Sequence, residues 1–185
     1  MGQDDLKCYA VIAPVIAASN SLLFEVRADG LKRQPGEICF PGGRVEPAET
    51  PAEAASRELS EELLFPASDI ELIAPLDILL TPYNSMIIPY LGYLNNYGWT
   101  FNSDEVKEVF DVPFDFFLQN DPEIYDNLLS VRPCPEFPHA LVGREDYRWG
   151  SGTYPVPFYC YRDKVIWGLT ARIVHNLVLI FRGAR

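Results

Sequence analysis

The chain has 185 residues, of which 48% are hydrophobic and 13% aromatic, enough for one globular domain with a sizeable core. A formal net charge of −11 excludes the basic footprint that nucleic acid or an anionic membrane surface needs, so neither partner is expected. Cys8, Cys39, Cys134 and Cys160 are scattered, with no Cys-x-x-Cys pair and no histidine at ligand spacing; zinc is not expected, and a reducing cytoplasm is the expected location.

Residues 8–18 form an apolar run broken by Pro14, too short to cross a bilayer and better read as a buried strand. A turn at Ser19-Asn20-Ser21 joins it to a second β-rich run, 22–27. Residues 27–36 read as a loop with the basic pair Lys32-Arg33, and 37–40 as a short strand entering the turn Phe40-Pro41-Gly42-Gly43. Thr50, Pro51 and Glu53 are an N-cap, a proline at N1 and the glutamate of a capping box. They predict a helix over 51–64 with Ala54, Ala55, Leu59 and Leu63 off its acidic face. Two strands are expected over 70–80 and 86–94. Glu105 and Glu108 follow, ahead of an aromatic run at 114–118 that reads as a short helix. From 119 to 157 the chain is rich in proline and lacks a period, which reads as an ordered lid or a flexible insertion. A hairpin over 155–161 and 164–167 leads to a core-packing helix with Leu169, Ile173, Leu177 and Ile180 on one stripe. Without internal repeat or linker, residues 1–185 read as a single domain. The expected architecture is an α/β fold, a mixed sheet with a helix on each side.

The chemistry is concentrated between residues 43 and 62. At about 3.6 residues per turn, Glu58, Glu61 and Glu62 stand at i, i+3 and i+4 and share one helix face. Like charges at that spacing repel, and a hard divalent cation with oxygen ligands, Mg²⁺ or Mn²⁺, offsets the repulsion. The pattern therefore points to a metal-dependent enzyme acting on phosphates. A solvated acidic helix face is the plainer alternative. Against it stand Arg57, able to hold a neighbouring carboxylate bidentately, the two glycines of the preceding turn and the capped helix start.

These residues resemble the Nudix box, Gly-x5-Glu-x7-Arg-Glu-Leu-x-Glu-Glu, running here from Gly43 through Glu49 and Arg57 to Phe65. One departure is Leu64, where the family usually has the glycine that closes the helix; Phe65-Pro66 is expected to stop it instead. The resemblance implies the same α-β-α sandwich with a mixed central sheet, and a hydrolase of phosphoric anhydrides. It adds the backbone carbonyl of Gly43 to Glu58, Glu61 and Glu62 as metal ligands. Glu49 with Arg57 is expected to orient these ligands, while Glu46 and Glu53 read as a loop residue and a capping residue. Nudix enzymes take their base from the box helix or from a later loop, which makes Glu61 and Glu105 candidates. Glu108 competes with Glu105, the two reading equally well as a solvated strand edge, and Asp104 reads as a turn residue.

Upstream of the box, Leu23-Phe24-Glu25-Val26-Arg27-Ala28, Lys32, Gly36 and Phe40-Pro41-Gly42-Gly43 keep every spacing of a longer signature. They are similar to the coenzyme A subfamily pattern Leu-Leu-(Thr/Ser)-x-Arg-(Ser/Ala)-x3-Arg-x3-Gly-x3-Phe-Pro-Gly-Gly. Phe24, Glu25 and Lys32 depart from it, and Glu25 puts a negative group where a small hydroxyl is usual. The resemblance implies cleavage of the diphosphate of coenzyme A or its thioesters to 3′,5′-ADP and 4′-phosphopantetheine or its acyl form. Arg27, Lys32, Gly42 and Gly43 would face the substrate, with Arg33 a further candidate for the 3′-phosphate and Tyr83, Tyr90 or Trp99 for stacking on adenine. The alternative substrate is another nucleoside diphosphate derivative, such as ADP-ribose or NADH. A ligand-sensing module without catalysis is disfavoured, since binding alone gives no reason to keep a repelling carboxylate triad. The expected partner is a small nucleotide, and a homodimer stays open.

Overall fold

The computed structural model describes residues 6–143 and 147–183. In chain order, β1 (Lys7–Ile16) and β2 (Ser21–Arg27) precede β3 (Ile38–Cys39) and β4 (Gly42–Arg44), which flank the glycine turn. Helix α1 (Pro51–Leu63) leads to β5 (Ile70–Pro75), β6 (Leu79–Thr81), β7 (Ser85–Leu94) and β8 (Val106–Pro113). Then come α2 (Phe114–Gln119), β9 (Glu123–Ser130), β10 (Ser151–Tyr161), β11 (Lys164–Trp167) and α3 (Gly168–Phe181).

The central sheet is mixed. β1 lies parallel to β7 along its whole length, while its pairings with β2 and β4 are antiparallel. β2 also pairs with β3 and β8, and β7 with β5 and β6, all antiparallel. Because successive side chains of a strand point to opposite faces, β1 serves two cores. Ala10, Ile12 and Ile16 meet Ala54, Ala55, Leu59 and Leu63 of α1. Ala13 and Val15 join Leu22, Phe24 and Phe40 beneath Ile173, Val174 and Leu177 of α3. The fold is therefore an α-β-α sandwich of the α/β class.

Four details depart from the sequence reading. The strand expected over 70–80 divides into β5 and β6, which pair with different stretches of β7. Residues 106–113, where only Glu105-x-x-Glu108 suggested a solvated strand edge, form the full strand β8, paired along β2. The buried stripe of α3 runs through Ala171, Ile173, Val174, Leu177 and Val178, and leaves Ile180 exposed. Within 119–157, residues Glu123–Ser130 are the strand β9, which pairs antiparallel with β10 from Glu123–Phe158 to Ser130–Ser151 in a second, three-stranded sheet with β11. β9 is exposed along nearly all its length, so no alternation marks it, and Pro155 and Pro157 disguise its partner.

Candidate active site

Helix α1 starts as its sequence dictates. The Glu53 N–H donates to Thr50 Oγ1, and Glu53 Oε2 accepts from the Thr50 N–H at 2.7 Å, so Glu53 is occupied by the cap. The other end differs from expectation. Leu64 itself takes the left-handed conformation, φ 50 and ψ 42, that a glycine would adopt there, and the helix closes before Pro66 is reached. Thr100 Oγ1 donates to the Leu63 carbonyl at 2.9 Å and the Asn102 N–H to the Glu62 carbonyl at 2.8 Å. These bonds satisfy the last carbonyls of α1 and tie the loop carrying Glu105 to the acidic helix.

The glycine turn lies directly on the carboxylates. The Gly42 N–H donates to Glu62 Oε2 at 2.9 Å. A Cβ at Gly42, where φ is +154, would meet the Ala10 carbonyl oxygen at 2.4 Å, and one at Gly43 would lie 2.2 Å from the carboxyl carbon of Glu58. Only glycine allows this approach.

Arg57 organises the half-exposed side of the cluster. Its Nη2 and Nε hold Glu49 bidentately at 3.0 and 3.2 Å, while Nη1 reaches Glu58 at 2.8 Å and Glu61 at 3.5 Å. The Arg57 hydrogen bonds and the Glu46 N–H hold the Glu49 carboxyl below its ordinary range. Glu58 is half-buried, and its desolvation outweighs Arg57, leaving its pKa raised. Glu62 is buried, with 3% exposure. Burial first, then the nearby Glu25 charge, pushes it up to about 9.

Glu25 belongs to this cluster, which the sequence did not indicate. It is fully buried on β2, where Cys39 Sγ donates to its Oε1 at 3.2 Å. Among the described residues, its Oε2 has no hydrogen-bond partner. Burial pushes its pKa up to about 7, with Arg27 opposing the shift and Glu105 and Glu58 adding to it. Glu105 thus stands close enough to act on both Glu25 and Glu58. Glu108 does not share this site, since it is paired with Lys164 at 2.7 Å. Asp104 sits in a turn, its N–H bonded to Asn102 Oδ1.

Among the described residues, no three acidic, histidine or cysteine side chains converge as a ready metal cage. Glu58 and Glu61 turn to Arg57, and Glu62 turns to the Gly42 N–H. The donor chemistry still fits a hard divalent cation. It is all oxygen, it includes the orphaned Glu25 Oε2, and it lies against a backbone that only glycine brings so near.

Beside the glycine turn, a cleft of about 350 Å³ is lined by Tyr9, Arg27, Arg33, Gln34, Gly42, Gly43, Thr81, Tyr83, Ser85, Ile87 and Leu169. The Arg27 Nε donates to the Arg33 carbonyl, and the Arg33 Nη1 approaches the Tyr9 hydroxyl at 3.5 Å. Lys32 does not line the cleft; its neighbour Arg33 does. Of the three aromatics named from the sequence, only Tyr83 does so, while Tyr90 packs against the α1-side core and Trp99 against Tyr97. Tyr9 is the aromatic that the sequence reading missed. Two larger concavities, of about 520 and about 570 Å³, lie away from the glycine turn, one lined by Phe65 and Asn96 and the other by β9 and β10. Neither touches the carboxylate cluster.

Residues 7–127, carrying both the glycine turn and the acidic helix, match the NUDIX domain. The chain belongs to the Nudix family. It is 40% identical over 121 residues to the mouse peroxisomal coenzyme A diphosphatase NUDT7, a match covering 63% of this chain and 50% of that protein. The chain therefore spans about half the length of the mouse relative. Nudix hydrolase 3 of Caenorhabditis elegans is 34% identical over 178 residues, 92% of this chain and 72% of that one. An uncharacterized Nudix hydrolase, NudL of Yersinia enterocolitica, is 28% identical over 176 residues, 91% and 78%. A NUDIX hydrolase structure from Nitrosomonas europaea superposes with a TM-score of 0.51 at 21% identity, over 60% of this chain and 62% of that one. A C. elegans Ap4A hydrolase in a binary complex gives 0.51 at 18%, over 60% and 83%. These two structures establish the fold. Nudix hydrolases generally require divalent metal ions. No described helix is long and apolar enough to cross a membrane.

Proposed function

We propose that this Nudix enzyme hydrolyses the diphosphate of coenzyme A or its thioesters, releasing 3′,5′-ADP and 4′-phosphopantetheine or its acyl form, with Mg²⁺ or Mn²⁺. The observation that carries this reading is the shared border of two sites. Gly42 and Gly43 touch the carboxylate cluster on one side and line the cleft with Arg27 and Arg33 on the other. A diphosphate lying across the turn would reach the carboxylates while a third phosphate meets the two guanidinium groups. The similarity to the mouse coenzyme A diphosphatase supports the same substrate class.

Glu58, Glu61, Glu62 and the Gly43 carbonyl would hold the cation, which when bound supplies Lewis acidity to the phosphoryl centre and acidifies a coordinated water. Arg57 is the positioning residue, since it binds Glu49, Glu58 and Glu61 together. Glu105 would take the proton of the attacking water. Its loop is anchored on the end of α1, and its charge acts on Glu25 and Glu58. Glu61, the most exposed of the three box carboxylates, is the second candidate for that role. Residues 1–185 would work as one domain, because α3, beyond the matched segment, supplies the second layer over the sheet.

The test is a substrate panel. Coenzyme A should be preferred over its 3′-dephospho form by on the order of 10- to 150-fold in kcat/KM, the worth of a charge-assisted hydrogen bond. Arg27→Ala and Arg33→Ala should remove most of that preference while sparing the dephospho substrate. Equal rates on the two substrates, or faster cleavage of ADP-ribose or NADH than of either, would assign the enzyme to another nucleoside diphosphate derivative.

A further inference from the structure

We propose that Glu25 is an additional carboxylate of the cation site, offering its Oε2 oxygen from the sheet side. The inference rests on the metal-dependent reading above and extends its ligand set beyond the box. Three observations converge on Glu25. Its neighbour two residues earlier on β2, Leu23, packs in the core beneath α1, so Glu25 projects from the same face toward Glu62. Its burial is complete, yet among the described residues its only donor is the Cys39 thiol, a weak one, on Oε1. Among the described residues its Oε2 is unpartnered, and the charges acting on it include the carboxylates Glu62, Glu105 and Glu58 and the cationic Arg27.

A carboxylate oxygen buried without a donor is unfavourable unless something else satisfies it. A divalent cation held between α1 and β2 does so, and relieves the repulsion between Glu25 and Glu62 at the same time. The coenzyme A signature has threonine or serine at this position, a neutral hydroxyl. The substitution thus adds an anionic donor to the site.

The experiment measures Mn²⁺ affinity of the full chain by titration calorimetry, alongside thermal melts with and without Mn²⁺. Glu25→Gln and Glu25→Thr should each weaken Mn²⁺ binding on the order of 10- to 100-fold. The loss should persist when Glu25→Gln is combined with Glu62→Gln, because a donor acts on the ion itself. Without metal the Glu25→Gln protein should melt at or above the parent's temperature, and with saturating Mn²⁺ below it. Unchanged affinity in both variants would overturn the proposal. So would a loss that disappears in the Glu62→Gln background, which would make Glu25 a support for Glu62, and failure of both variants to fold, which would make it a core residue. If the parent chain bound no Mn²⁺, the metal-dependent reading itself would fall. Parent binding with unaltered variants would remove only this inference.

Discussion

On its α3 side the central sheet buries Phe24, Phe40, Val112 and Phe117 against Ile173, Val174 and Leu177. On its α1 side, β2 continues past Leu23 to Glu25, which lies buried near Glu62. The apolar face gains from every contact it makes. The acidic face holds like charges together out of water, which opposes folding until a cation or a proton compensates. Both faces of the sheet therefore pack apolar side chains, but only the α1 side adds a buried carboxylate cluster, and core and cluster should respond oppositely to substitution.

The largest expected contrast comes from Glu62→Gln. Turnover should fall on the order of 1,000-fold or more, about 4 kcal/mol in transition-state stabilisation, while the metal-free protein keeps or gains stability. Steady-state kinetics and chemical denaturation measure the two halves; retained activity, or unfolding, would contradict the ligand assignment. On the opposite face, Phe117→Ala removes a fully buried ring that packs on Phe24, Phe116 and Tyr159. It should cost roughly 3 to 4 kcal/mol of stability without changing kcat per folded molecule. A large kcat effect there would mean that the faces are not separable.

Proton linkage sharpens the contrast. Burial raises Glu25 to about 7 and Glu62 to about 9 from an ordinary 4.5, so above that value the folded, metal-free protein holds more protons than the unfolded chain. Their contribution is fully present below about pH 4.5 and is lost as pH rises through the two folded values. Glu49, lowered by Arg57, works in the opposite direction only at acid pH. Metal-free melting temperature should therefore decline from about pH 5 toward pH 9, more shallowly in Glu62→Gln. A profile with no decline would show that the pair ionises without strain. The smallest effect belongs to the helix end. Leu64 is 59% exposed and left-handed, so Leu64→Gly should stabilise by roughly 0.5 to 1 kcal/mol and leave catalysis unchanged, as a denaturant midpoint would report.

Helix α1 is legible in the sequence because its signals are local: a cap residue, a proline at N1, and carboxylates one turn apart. For the same reason β1, the β10–β11 hairpin and the buried character of α3 can be read before any contact is known. The Nudix box, a pattern of fixed spacing in one segment, shares that property. What only the tertiary structure decided is which side chains from distant segments meet. Glu25, a departure when read alone, lies buried near Glu62 because alternation along β2 puts it on the face where Leu23 joins the α1-side core. Glu105 stays near the cluster while Glu108 is taken by Lys164, and Arg33 replaces Lys32 at the cleft because the loop turns one residue and not its neighbour toward Tyr9. β9 needed its partner to become a strand. A two-residue or 3.6-residue period says which face a side chain occupies. What lies across from it depends on how sheet and helices pack, and here that packing determines which carboxylates lose their water.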